Sequence, residues 1–168
     1  GYHFKNFYKT FPQNEQADEA AYLTAYCYYL EAPKHSLDQA YTFKAINEIQ
    51  LYINTHPKSD KLEDCNSYME ELRSKLELKS YEIAYQYFKT RQYKAAMTAF
   101  TTTVSEYPDT PYREDALYYK TLSAFKLANN SLESLQNERF TEAKTALNDF
   151  EEAFPNSDRL EDLRKLIH

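Results

Sequence analysis

The 168-residue chain is 42 % hydrophobic and 27 % charged, with a net charge of −6, one glycine, seventeen tyrosines, ten phenylalanines and no tryptophan. That composition belongs to a folded protein and not a disordered tail, and the acidic balance excludes the basic footprint of non-specific nucleic-acid binding. No run of 18 apolar residues exists to span a membrane, and with glycine only at position 1 there is neither a glycine-rich phosphate loop nor the positive-φ turns of a hairpin-rich sheet.

The chain opens at YHFKNFYKTF, already in mid-pattern, so its natural N-terminus is expected upstream. No signal peptide is visible. DEAAYLTAYCYYLEA (18–32) reads as a helix, so rich in aromatics that it is expected largely buried, with the cluster YCYY (26–29) in the core. SLDQAYTFKAINEIQLYINTH (36–56) reads as a helix opened by a serine cap at Ser36. Residues 61–90 lack glycine and proline and predict one long helix or two collinear ones, with a break at Thr90-Arg91-Gln92. DALYYKTLSAFKLA (115–128) predicts another helix. NNSLESLQNER (129–139) reads as a polar insertion before a final helix from about Thr141, and RLEDLRK (159–165) as a solvated helix face.

A repeat runs through these elements. Phe11-Pro12, His56-Pro57, Tyr107-Pro108 and Phe154-Pro155 recur at intervals of 45, 51 and 47 residues. Eight residues before each proline stands an apolar residue (Phe4, Ile49, Phe100, Leu147), and twelve before three of them an alanine (Ala45, Ala96, Ala143). Two residues after each comes a short polar residue (Asn14, Ser59, Thr110, Ser157), and six and seven after, an acidic pair: Asp18-Glu19, Glu63-Asp64, Glu114-Asp115, Glu161-Asp162. Self-similarity at such a period marks a repeat architecture. Proline stops one helix, the polar residue is of N-cap type for the next, Pro111 suits a first helical position, and the acidic pair faces the positive end of the new helix dipole. The carboxylates Asp109, Glu114 and Asp115 therefore read as parts of a joint, not as catalytic acids. The small alanine admits a neighbouring helix.

Residues 80–108 resemble a tetratricopeptide repeat, with Ile83-Ala84, Tyr87, Tyr93, Ala96, Phe100 and Pro108 at that motif's spacing and Ala84 where the motif usually has glycine. The phrases FKNFYKTFPQNEQADEAAYLTAYCYYL, SLDQAYTFKAINEIQLYINTHP and YPDTPYREDALYYK, with the insertion NNSLESLQNERF, resemble the BamD family of outer-membrane assembly lipoproteins of Gram-negative bacteria, over nearly the whole chain. The resemblance implies an all-α tetratricopeptide-like solenoid of helical hairpins, three to four incomplete repeats forming a single domain over residues 1–168 of a longer lipoprotein. It further implies a scaffold at the periplasmic face of the outer membrane, docking on the POTRA domains of a BamA-like barrel protein and helping to recruit unfolded outer-membrane proteins. The implied membrane contact is a lipidated cysteine outside this chain; neither Cys27 nor Cys65 lies in a lipobox, and both read as reduced structural cysteines.

No Ser/His/Asp or Cys/His set carries a catalytic signature. None of His3, His35, His56 and His168 has a second histidine or cysteine at metal-ligand spacing. The expectation is no enzyme, no cofactor and no metal. Binding through an extended repeat surface remains. Tyr81, Tyr85, Phe88 and Lys89 on one helix, with Tyr118, Tyr119 and Lys120 on another, are the candidate partner-binding residues, because tyrosine offers a rigid apolar plate with a hydroxyl. Two alternatives stand beside the BamD-like scaffold: a periplasmic tetratricopeptide coordinator of another envelope protein, like the TolA-binding repeat proteins, and a SusD-like glycan-binding lipoprotein. The latter usually carries tryptophan platforms on long insertions, which this sequence lacks.

Overall fold

In the computed structural model, which describes residues 1–167, each aromatic-proline phrase closes one helix and opens the next. The helices are α1 (Tyr2–Thr10), α2 (Ala17–Glu31), α3 (Ala40–Thr55), α4 (Leu62–Lys89), α5 (Tyr93–Glu106), α6 (Arg113–Asn129), α7 (Glu133–Ala153) and α8 (Leu160–Arg164), then a 3-10 turn over Lys165–Ile167. Among the described residues there is no strand, and no helix is long and apolar enough to cross a membrane. The fold is all-α and tetratricopeptide-like, as the sequence predicts. His168 lies outside the described residues.

The four joints share one backbone geometry. The residue before proline has φ/ψ of −125/60° at Phe11, −128/60° at His56, −129/72° at Tyr107 and −136/65° at Phe154. Proline excludes the α region for that residue and then occupies the first central position of a four-residue turn. The turn is closed by the amide two residues after proline, which donates to the carbonyl of the residue before it: Asn14 to Phe11 at 3.0 Å, and Ser59 to His56, Thr110 to Tyr107 and Ser157 to Phe154 at 3.1 Å each.

The short polar residue does a different task from the one its type suggests. Asn14 Oδ1, Ser59 Oγ, Thr110 Oγ1 and Ser157 Oγ accept the amides of Gln16, Lys61, Tyr112 and Arg159 at 2.9, 3.1, 3.4 and 3.2 Å. They cap a side-chain turn, not a helix, because the joint uses two more residues before the helix starts. Pro111 likewise lies in the turn ahead of α6. The acidic pairs fall on the second and third residues of α2, α4, α6 and α8, inside the first turn.

The chain divides into two compact units, Gly1–Leu76 and the residues from Glu77 on. In unit 1, Ala21 and Ala25 of α2, Ala45, Ile49 and Tyr52 of α3, and Cys65 and Leu72 of α4 form the core. In unit 2, Ala84, Ala96, Phe100 and Ala116 form one cluster, and Phe125, Ala143, Leu147, Phe150 and Leu163 belong to another. The three repeat alanines Ala45, Ala96 and Ala143 are fully buried, and so are Ile49 and Phe100 at the apolar position that follows them. Burying each such large side chain stabilises by roughly 1.5–3 kcal/mol. The equivalent Phe4 on α1 is 40 % exposed.

Three elements differ from the sequence reading. α3 begins at Ala40, not Ser36. The buried Gln39 organises the loop before it, donating to the carbonyls of Lys34 and Leu37 at 2.8 and 2.9 Å and accepting from Thr42 at 2.7 Å. The insertion 129–139 is mostly helix, since α7 begins at Glu133. That stretch has no glycine or proline to interrupt it, and Gln136 Nε2 and the Arg139 guanidinium reach back to Ser131. In α2 the small residues Ala17, Ala20, Ala21, Thr24 and Ala25 are buried, while Tyr26, Cys27, Tyr28 and Tyr29 are half-buried. Residues 61–90 do form a single helix, which ends at Lys89 where Arg91 adopts φ 62°.

Candidate functional site

Tyr81, Tyr85 and Phe88 recur at i, i+4 and i+7, so they share one stripe of α4. The structure brings them together with Tyr119 of α6. Tyr85 and Phe88 each lie 4.9 Å from Tyr119, ring centre to ring centre, and Tyr81 stacks on Tyr112 at 5.0 Å and 13°. Phe100 lies 6.1 Å from Tyr81 and Tyr119 and is fully buried. Tyr81, Tyr85, Phe88 and Tyr119 themselves stay half-buried. Lys89 is exposed, with its Nζ 5.2 Å from the centre of the Tyr85 ring.

Desolvation, with Asp115 and neighbouring tyrosines adding to it, pushes the Tyr81 phenol well above its ordinary range. Burial and then a hydrogen bond with Tyr85 raise Tyr119. These phenols stay neutral at physiological pH, so the cluster works as a set of polar-edged apolar plates.

Residues 118–120 cannot share a face, since successive helical residues differ by about 100°. Tyr118 meets Tyr119 edge-on at 5.1 Å and carries the Arg159 guanidinium 4.9 Å above its ring. Lys120 does not join the aromatic cluster. It turns towards α7, where it pairs with Asp149 at 3.7 Å.

Sequence reasoning missed two parts of this arrangement. The first is Arg159, read as part of a solvated face. It pairs with Asp115, while Ser157 Oγ donates to Glu114 at 2.6 Å. The acidic pair at one joint is thus clasped by the next. Unit 1 has the same device. Lys61 Nζ sits 5.9 Å from the Tyr22 ring, and His56 Nε2 lies 3.3 Å from Asp18. Lys61 and Arg159 both stand four residues after a proline, and Tyr22 and Tyr118 ten after.

The second is a copy of the plate cluster in unit 1, where the sequence reading places Tyr26, Tyr28 and Tyr29 in the core. Tyr22, Tyr26 and Tyr29 line α2 at the same i, i+4, i+7 spacing. Tyr68 of α4 stacks on Tyr29 at 4.2 Å and meets Tyr26 at 5.6 Å. Tyr68 and Tyr119 both stand eleven residues after a proline, which is the signal that marks the pair. A hydrogen bond to Glu71 at 2.5 Å, with desolvation, pushes the Tyr29 phenol up to about 12.

Cys27 and Cys65 are free, and burial pushes the Cys65 thiol up to about 11, far from a reactive thiolate. His56 packs as its position suggests, stacked on Tyr52 at 4.5 Å with Nδ1 3.1 Å from the Tyr52 carbonyl oxygen. Among the described residues no group of three His, Cys, Asp or Glu is placed to hold a metal ion.

Comparison with known proteins agrees with this architecture. The model of the YfiO family, described as an outer membrane lipoprotein, matches residues 2–131. The outer membrane protein assembly factor BamD of Caulobacter vibrioides is 26 % identical over 112 residues, 67 % of this chain and 37 % of that protein. The chain thus matches little more than a third of the curated relative's length. With the family model covering most of its helices, the chain belongs to the YfiO family of outer membrane lipoproteins.

Proposed function

We propose that the chain is a non-catalytic adaptor in the machinery that assembles β-barrel proteins into the outer membrane, acting through protein–protein contacts. In this reading it works at the periplasmic face, held there by a lipid anchor outside this chain. It docks on the POTRA domains of a BamA-like barrel protein and assists capture of unfolded outer-membrane proteins. The observation that carries the reading is the half-exposed plate cluster of Tyr81, Tyr85, Phe88 and Tyr119, edged by Lys89 and backed by the rigid, fully buried Phe100. Neutral aromatic plates held by a packed core are what a protein interface uses as anchors, and membership of the YfiO family supplies the machinery.

Titration calorimetry of the full-length protein against the POTRA domains from the same organism tests this. Saturable binding is expected, weakened at least tenfold by Tyr85→Ala and little changed by Tyr85→Phe, which keeps the plate. No binding, or binding indifferent to Tyr85→Ala in a folded variant, would overturn it.

A further inference from the structure

Unit 2 also carries a groove whose lining includes none of Tyr81, Tyr85, Phe88 and Tyr119. It has a volume of about 590 Å³ and lies between α5 and α7 with α6 as its floor. Met97 of α5, Leu127 of α6 and Leu135 of α7 supply its apolar lining. Lys94 stands on the α5 wall, and on the α7 wall Glu138 and Glu142 flank Arg139, whose guanidinium is held by Ser131. Lys94, Glu138 and Glu142 have no ion-pair partner among the described residues.

The matching triplet in unit 1, α1–α2–α3, is closed. Lys5 of α1 pairs with Glu48 of α3, and the gap that remains, beside Tyr8, is about 260 Å³. In unit 2 Lys120 of α6 pairs with Asp149 of α7 at 3.7 Å, but Lys94, Glu138 and Glu142 face the open space without partners. Glu138 and Glu142 are also one turn apart on α7, a like-charge arrangement that works against the helix. Arg139, between them in sequence and three residues before Glu142, also lines the groove but donates to the Ser131 hydroxyl.

A segment lying in the groove must bring apolar side chains to the floor, a carboxylate to Lys94 and a cation to the glutamate stripe. A strand turns alternate side chains to opposite faces and has backbone at its flanks. A helix presents an apolar stripe with different side chains on each flank. We infer that the α5–α6–α7 groove docks an amphipathic helix of a partner protein, acidic on the flank beside Lys94 and basic on the flank beside Glu138 and Glu142.

A photo-reactive amino acid placed at the exposed groove residue Thr98 of the full-length protein, in its own cells, reads the occupant directly. Mass spectrometry of the cross-linked peptide is expected to show another protein's segment with apolar residues at i, i+3 or i+4 and i+7, and opposite charges on its two flanks. Lys94→Glu and Glu142→Lys, each at an exposed position, are each expected to cut the cross-link yield at least tenfold. Glu142→Lys should do so with the thermal midpoint little changed, because its new pair with Glu138 is offset by the like charge of Arg139 three residues before it. A cross-link to a second copy of this chain, to a segment without that pattern or to nothing would overturn the inference, as would an undiminished yield in either charge-reversed protein.

Discussion

The α1–α2–α3 triplet of unit 1 and the α5–α6–α7 triplet of unit 2 are built on the same joint and differ in what fills the space between their outer helices. Both end their first and third helices at a proline, and both set a cation four residues after the second proline against a tyrosine ten after the first. Yet Lys5, Glu48 and Tyr8 close the gap in one, and Lys94, Glu138 and Glu142 leave it open in the other. The lesson is a division of labour. Backbone geometry at the joint repeats because it positions helices. Side chains on the faces between joints vary because they decide what a face can bind.

The equivalence of the apolar positions is the first place to break this comparison. Phe100→Ala removes a ring with no solvent exposure, held against Tyr81 and Tyr119, and is expected to cost about 3–5 kcal/mol. Phe4→Ala, at the matching position but 40 % exposed, is expected to cost about 1 kcal/mol or less. Urea unfolding of both variants measures the difference; equal losses would mean that the two positions are not alternative environments of one repeat slot. Ala96→Leu comes next. Ala96 is fully buried against Ala84, Phe100 and Ala116, so the extra carbons overpack the helix pair and cost about 1–3 kcal/mol. Ala45→Leu in unit 1 should behave alike, and a neutral result at either alanine would show that close helix approach is not what selects it.

The clasp separates the units by cation type. Arg159 combines an ion pair to Asp115 with a ring contact at 4.9 Å, whereas Lys61 sits 5.9 Å from its ring and its carboxylate partner, Asp60, is on its own turn. Arg159→Ala is expected to lower stability by about 1 kcal/mol and Lys61→Ala by a few tenths, since exposed pairs are worth little and planar guanidinium stacks better on a ring. Thermal unfolding in low and high salt checks both the order and the electrostatic share.

Much of this was legible in the sequence because the joint writes itself in local chemistry. Proline, the residue before it and the polar residue after it need only each other, so four copies could be aligned without any tertiary information. The long α4 and its break at Thr90-Arg91-Gln92 were legible for the same reason. What escaped depends on which neighbour fills a space. Lys120 looked like a companion of Tyr118 and Tyr119, but one step along a helix turns it to α7 and Asp149. Tyr26 and Tyr29 looked like core because aromatic density suggests burial, yet the alanines of α2 take the interior and leave the rings half out. Arg159 looked solvated because its tyrosine stands on another helix. The start of α3 was misplaced because the buried amide of Gln39, not the serine at position 36, holds the preceding loop.

The connection between α4 and α5, like that between α6 and α7, stands outside the proline joints, and a backbone substitution tests how it closes. It has no proline. Arg91 donates its amide to Phe88 at 3.0 Å and Gln92 to Tyr87 at 2.9 Å, closing α4 in a Schellman arrangement whose left-handed position is Arg91, with φ 62°. Among the described residues it is the only non-glycine residue with positive φ. An L-residue there costs roughly 1–2 kcal/mol relative to its preferred backbone region, and the exposed side chain returns little. Arg91→Gly removes that cost but adds backbone freedom to the unfolded chain, which takes back part of the gain. The net expectation is a stabilisation of about 0.5–1 kcal/mol, read as a rise in thermal midpoint with unchanged helical content. At a proline joint the same substitution has the opposite sign: Tyr107→Gly places glycine at φ −129°, where it relieves nothing and loses packing. If Arg91→Gly destabilised, a contact of the arginine side chain, and not the backbone bonds of Arg91 and Gln92, would be what holds the end of α4.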